Sequence, residues 1–169
     1  TSFTSQVGDF TRSFGGAEGN SISAVLVPGS GVEAISPGDE GESQVDLEYT
    51  TGMLGNASVF LVYVGSDQNY SVFDALAFAI HQDIAPVISI SYGMCEASMS
   101  ATELDQGNAL FEEANAQGQT IVASAGDLGS TECVNWEGIT PAQQQALSVA
   151  YPADSPYVTA VGGTQMAAG

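Results

Sequence analysis

The sequence predicts an α/β domain: a doubly wound, mostly parallel sheet flanked by helices. Two observations predict it. Residues 58–64 (SVFLVYV), 86–92 (PVISISY) and 120–125 (TIVASA) are near-continuous β-branched and aromatic runs, the pattern of strands buried on both faces. Segments of helical periodicity, each about a dozen residues long, lie between them. Strand–helix–strand units of this kind close right-handed and place the strands parallel.

In chain order, residues 5–14 read as a helix with Val7, Phe10 and Phe14 on one face. Residues 22–27 form a short apolar run that fits a strand, followed by turn-rich sequence holding Pro28, Gly29, Gly31, Pro37 and Gly38. Residues 42–54 read as a helix whose acidic first turn suits the positive end of the helix dipole. Residues 72–82 form a helix with Phe73, Ala77, Phe78 and Ile80 on its apolar side. A helix over 102–116 ends before Gly118, and a last strand over 157–161 follows a turn bracketed by Pro152 and Pro156. There is no internal repeat, low-complexity tract or linker, so residues 1–169 read as one domain or part of one.

With 169 residues, 44% of them apolar, the chain can bury a sizeable core. Its 20 Asp and Glu face a single Lys or Arg, for a formal charge of -19. That excludes nucleic acid as a partner, because phosphate binding needs a basic stripe and Arg12 stands alone. An anionic membrane surface is disfavoured for the same reason, and no apolar run is long enough to span a bilayer. The charge would self-repel at neutrality and relax near pH ~4, where carboxyl groups titrate. No signal peptide opens the chain, as in a mature secreted protein.

His81 is the one histidine, so Ser-His-Asp and His-based metal chemistry have little material, and catalysis must lean on carboxylates. Cys95 and Cys133 are too few for a structural zinc site. Count alone leaves one disulfide and two buried thiols equally open.

In doubly wound sheets, ligands sit beyond the carboxyl ends of the strands. Two loops lie there: Ser91-Tyr92-Gly93, and Ser124-Ala125-Gly126-Asp127 continuing to Gly129 and Ser130. Glycines on both sides of Asp127 let backbone approach a ligand closely, although an Asp in a Gly-rich turn is also an ordinary capping device. Glu42 and Asp46 stand at i and i+4, on one helical face and about 6 Å apart along the axis. Such a pair resists double ionisation and can hold a proton for general acid–base work. The plain alternative is a solvated acidic face, as Asp39, Glu40 and Glu48 illustrate. His81 reads as a helix-end residue, and Met94 and Met99 as gap-fillers. Asn56 and Asn69 open glycosylation sequons, and Trp136 fits either a cleft wall or packing against the Cys133 loop.

Four blocks together carry a family resemblance. They are Gly41-Glu-Ser-Gln-Val-Asp-Leu-Glu48, Val87-Ile-Ser-Ile-Ser-Tyr-Gly93, Val122-Ala-Ser-Ala-Gly-Asp-Leu-Gly-Ser130 and Tyr151-Pro-Ala-Asp-Ser-Pro-Tyr-Val-Thr-Ala-Val-Gly-Gly-Thr164. In this order, over residues 7–165, the chain resembles the sedolisin family of serine-carboxyl peptidases. These are secreted, acid-active relatives of the subtilisins in which Glu replaces the catalytic histidine. The resemblance implies a subtilisin-like fold, with Glu42 as the base for a serine nucleophile and Asp46 orienting that base. It implies that Asp127, neutral in acid, donates a hydrogen bond to the oxyanion. By the same resemblance, Ser91, Tyr92 and Gly93, with Ser124, Ala125 and Gly126, pair with substrate backbone, and Cys95 and Cys133 form a disulfide.

The family's Gly-Thr-Ser nucleophile block does not occur in the sequence. The calcium site that the resemblance implies lies nearer the family's C-terminus, and an N-terminal strand of the family precedes residue 1. No metal ligand is therefore expected within this chain. The expectation is part of a secreted catalytic domain that acts on peptides or proteins in an acidic medium. Its serine would come from a second chain or from the rest of the same gene product. Alone the chain is expected to be inactive. The alternative is a non-catalytic secreted module that binds extended peptides.

Overall fold

A computed structural model describes residues 19–33, 36 and 38–164, so the helix expected over 5–14 lies outside the described residues. The chain divides at Phe78–Ala79 into two compact units.

In the first unit, β1 (Ser21–Leu26), α1 (Glu40–Met53) and β2 (Ser58–Tyr63) form a βαβ crossover. β1 and β2 pair in parallel, with Ser21 opposite Ser58 and Leu26 opposite Tyr63. A parallel pair needs a crossover element, and α1 supplies it. α1 buries Leu47 and Thr51, and the Thr51 hydroxyl donates to the Leu47 carbonyl at 2.6 Å. The last turn of α1 has no basic residue, so the Asn20 side-chain amide takes its place. It donates to the Thr51 carbonyl at 2.8 Å and to the Leu54 carbonyl at 2.6 Å, two groups the helix end leaves open. The turn after β1 is fastened to the turn after β2 by Ser30, whose buried hydroxyl donates to Val27 and accepts from the Gly65 amide.

Burial on both faces, expected for the 58–64 run, is not found. No residue of β2 is fully buried, and Phe60 is 39% exposed. Among the described residues β2 pairs only with β1, so an apolar run overstates the cover such a strand receives.

α2 (Val72–His81) crosses the division between the units. It turns Ala75, Leu76, Ala79 and Ile80 inward and leaves Phe73 and Phe78 half-buried, which corrects the expected face. The buried residues step at helical spacing, and Ile80 is the member they share with the expected face.

The second unit is built on a parallel sheet of order β3–β5–β7, formed by Val87–Ile90, Thr120–Ser124 and Thr159–Val161. Val87 stands opposite Thr120, and Val122 opposite Thr159. α3 (Ala101–Ala116) crosses from β3 to β5 and starts at a capping box. There Ser100 accepts from the Glu103 amide at 3.3 Å, and Glu103 accepts from the Ser100 amide at 2.7 Å. Phe111 and Ala114 on α3, with Ile121 and Ala123 on β5, are at most 1% exposed.

Two short strands were not visible in the sequence. β4 (Met94–Cys95) pairs antiparallel with β6 (Ala150–Tyr151), and a 3-10 turn (Glu96–Ser98) follows β4 directly. A four-residue helix, α4 (Pro141–Gln144), precedes β6. The Tyr151–Pro152 peptide is cis, and the Tyr151 ring lies 5.8 Å from that of Phe111. Among the described residues no helix is long and apolar enough to cross a membrane.

Candidate active site

Glu42 and Asp46 both lie on α1, one turn apart, in the first unit. Glu42 is exposed in the helix's opening turn and Asp46 is half-buried.

Asp127 belongs to the second unit, exposed in the bend that follows β5. Its loop is tightly specified. Gly126 has φ +106°, a left-handed conformation that disfavours a side chain, and the space where one would begin is taken by the Glu132 carboxylate. Glu132 also accepts a hydrogen bond from the Leu128 amide at 3.0 Å. It thus braces the loop from both sides of Asp127, a role the sequence reading missed. A Glu five residues past an Asp carries no motif that would have marked it.

The two expected substrate-binding segments meet on β6. The Ala150 amide donates to the Ala125 carbonyl at 3.2 Å, and the Ala125 amide donates to Val161 at 2.8 Å. On the other side, Ser91 and Tyr92 are half-buried and Gly93 is exposed. A Cβ on Gly93 would lie 2.7 Å from the Ala150 Cβ, so the chain passes β6 at a distance only glycine allows. The disulfide joins Cys95 to Cys133, with Cα atoms 5.0 Å apart and both residues fully buried. It ties the strand after Ser91-Tyr92-Gly93 to the segment after the Asp127 loop.

Trp136 is half-buried, and its amide donates to the Cys133 carbonyl at 3.1 Å, which places its backbone in the turn beside the disulfide. His81 ends α2 on the surface and sits 3.0 Å from Glu113 of α3, as a helix-end residue should. Among the described residues no three His, Cys, Asp or Glu side chains are placed to hold a metal ion.

A cavity of about 470 Å³ opens beneath the second loop, lined by Ala125, Gly129 and Ser130 and by Leu147, Ser148 and Val149. Glu96 and Asp154 complete its lining. Asp154 is pushed up to about 6, by burial first and then by the hydrogen bond and charge of Glu96, against the pull of the Asp154 and Ser155 backbone amides. Neither residue was singled out in the sequence, because nothing in the intervening chain signals that the two meet.

The comparisons with known proteins agree with this architecture. A family model described as the subtilase family matches residues 15–168. The chain belongs to the subtilase family. Its similarity within that family is to sedolisin-type peptidases. It is 37% identical over 135 residues to sedolisin from Pseudomonas sp. (strain 101), a match covering 75% of this chain and 22% of that protein. Kumamolisin from Bacillus sp. (strain MN-32) is 34% identical, covering 78% of this chain and 22% of kumamolisin. Tripeptidyl-peptidase 1 from Bos taurus is 30% identical, covering 95% of this chain and 27% of its own length. Pseudomonas sedolisin, a serine-carboxyl proteinase solved in complex with pseudo-iodotyrostatin, superposes with a TM-score of 0.72 at 28% identity. That superposition covers 95% of this chain and 44% of that one. The chain thus spans about a quarter of the length of the curated relatives it matches. The subtilisin-like α/β fold read from the sequence is the fold observed.

Proposed function

We propose that this chain is the acid half of a serine-carboxyl peptidase that hydrolyses peptide bonds in an acidic, extracellular medium. The observation that carries the reading is the match of residues 15–168 to the subtilase family, with sedolisin and kumamolisin among the relatives. In this reading a serine nucleophile attacks the peptide carbonyl while Glu42 accepts its hydroxyl proton. Asp46 orients Glu42, and the proton passes on to the departing amine. Asp127, protonated, donates to the oxygen on which negative charge gathers. A carboxylic acid donates only while neutral, so the reaction belongs to low pH. Substrate lies extended between Ser91-Tyr92-Gly93 and Ser124-Ala125-Gly126, pairing through backbone groups. The Cys95–Cys133 bond supports an oxidising compartment.

Peptide hydrolysis by the full-length protein tests the reading. Turnover in acid, lost towards neutrality, is expected, with Asp127→Ala lowering kcat by about 100-fold to 1000-fold. A peptide aldehyde should inhibit by forming a hemiacetal with the serine. Tight peptide binding without turnover would instead support a non-catalytic module, and a neutral optimum would remove the role given to Asp127.

A further inference from the structure

We propose that Glu96 and Asp154 form a proton-sharing clasp that positions the two segments flanking the substrate groove, 91–93 and 124–126, against β6. β6 is the element both segments use. Its Ala150 amide bonds to Ala125, its residues pair with β4 in the register Met94–Tyr151 and Cys95–Ala150, and Gly93 packs on the Ala150 side chain. The chain leaves β4 straight into the 3-10 turn that carries Glu96, and leaves β6 into the turn that carries Asp154. Both side chains line one cavity, with Ala125, Gly129 and Ser130. Glu96 follows β4 beyond one end of the antiparallel pair, and Asp154 follows β6 beyond the other.

Chemistry makes this closure proton-dependent. Ionised carboxylates only accept, so two carboxyl groups can bond to each other only when one is protonated. Asp154 Oδ1 is buried with no hydrogen-bond partner, so a negative charge on that oxygen is poorly supported. The groups facing Asp154 are Glu96 from the 3-10 turn, the Tyr151 phenol from β6, and the backbone amides of Asp154 and Ser155. α3 contributes the neutral Asn108, which accepts from the Ser155 hydroxyl at 2.6 Å. Among the described residues there is no Lys or Arg to take the proton's place. Asp154 is raised above its unfolded value, so the native state holds a proton that the unfolded chain gives up. The clasp's contribution is whole below about pH 4 and is lost as pH rises through about 6. Above that point two carboxylates face each other and the turns part.

The clasp stands without the peptidase reading; only its effect on substrate rests on it. Amide hydrogen exchange in the full chain, corrected for intrinsic rates, tests it directly. Protection of the Ala150 amide should fall about tenfold as pH rises through 6. Asp154→Asn supplies an N–H donor to Glu96 that needs no shared proton, so the fall should vanish, and Glu96→Gln should behave alike. Unchanged protection across the range in the wild type, or the same fall in either variant, overturns the proposal. Carbon-13 titration of the wild-type carboxyls reads the pair without any variant, and two groups titrating in the ordinary carboxylate range overturn it too. If turnover exists, KM should rise above pH 6 in the wild type and not in Asp154→Asn, a split that mere loss of stability would not give. An exchange transition with no turnover keeps the clasp and removes the peptidase; turnover with no transition does the reverse.

Discussion

Glu132 reaches back four residues to accept the Leu128 amide at 3.0 Å, and in doing so fills the space beside Gly126. The bend that presents Asp127 is therefore held by a carboxylate that is not itself presented. Glu132→Ala should release it, at a cost of about 1 kcal/mol in stability. Asp127 would lose its fixed direction, and kcat should fall with KM little changed. Glu132→Gln keeps an acceptor and should retain most of both. Urea unfolding and steady-state kinetics on the full-length protein check the pair.

The Cys95–Cys133 bond closes a sequence separation of 38 residues. Chain-entropy arithmetic for a loop of that size gives about 4 kcal/mol. Replacing both cysteines with serine should lower Tm by about 10 °C, measured by calorimetry. A Tm unaffected by the double change would show that the unfolded chain is already compact there.

Gly93→Ala should be among the costlier single-methyl changes in the protein. The new Cβ would stand 2.7 Å from the Ala150 Cβ and 3.1 Å from the Tyr151 carbonyl oxygen, so β6 must move. Overpacking of this sort costs about 1–3 kcal/mol. The companion change Gly93→Ala with Ala150→Gly removes the opposing methyl, and recovery of at least half the loss in thermal melts is expected.

The α3 cap responds to acid with the opposite sign to Asp154. The Ser100 amide and then its hydroxyl hold Glu103 below its ordinary value. The stability from this box is present above the ordinary carboxylate range and is lost as pH falls through the lowered value. Glu103→Gln should flatten that acid limb in melts taken at successive pH values, leaving the behaviour nearer pH 6 untouched.

What the sequence disclosed follows physical range. β3 and β5 were legible because apolar runs mark them, and α3 because a helical stretch runs up to Gly118. The Asp127 loop was legible from its glycines. β4 and β6 were not, because two residues cannot show a period; they exist because Gly93, Ala150 and the disulfide bring those backbones together. Glu96 and Asp154 escaped notice for the same reason, since a contact made by the fold leaves no local spacing. The face of α2 was misread because Phe73 and Phe78 carry the larger side chains, whereas the core has room for Leu76, Ala79 and Ile80.

The pairing of His81 with Glu113 also has a bearing on how the molecule meets its medium. Dissolved salt ordinarily weakens surface ion pairs. Among the described residues the His81–Glu113 pair is exposed and open to such weakening, against a formal charge of -19 whose repulsion salt relieves. Brine should act on this protein at neutrality as a protectant, and that protection should fade as acid discharges the carboxylates.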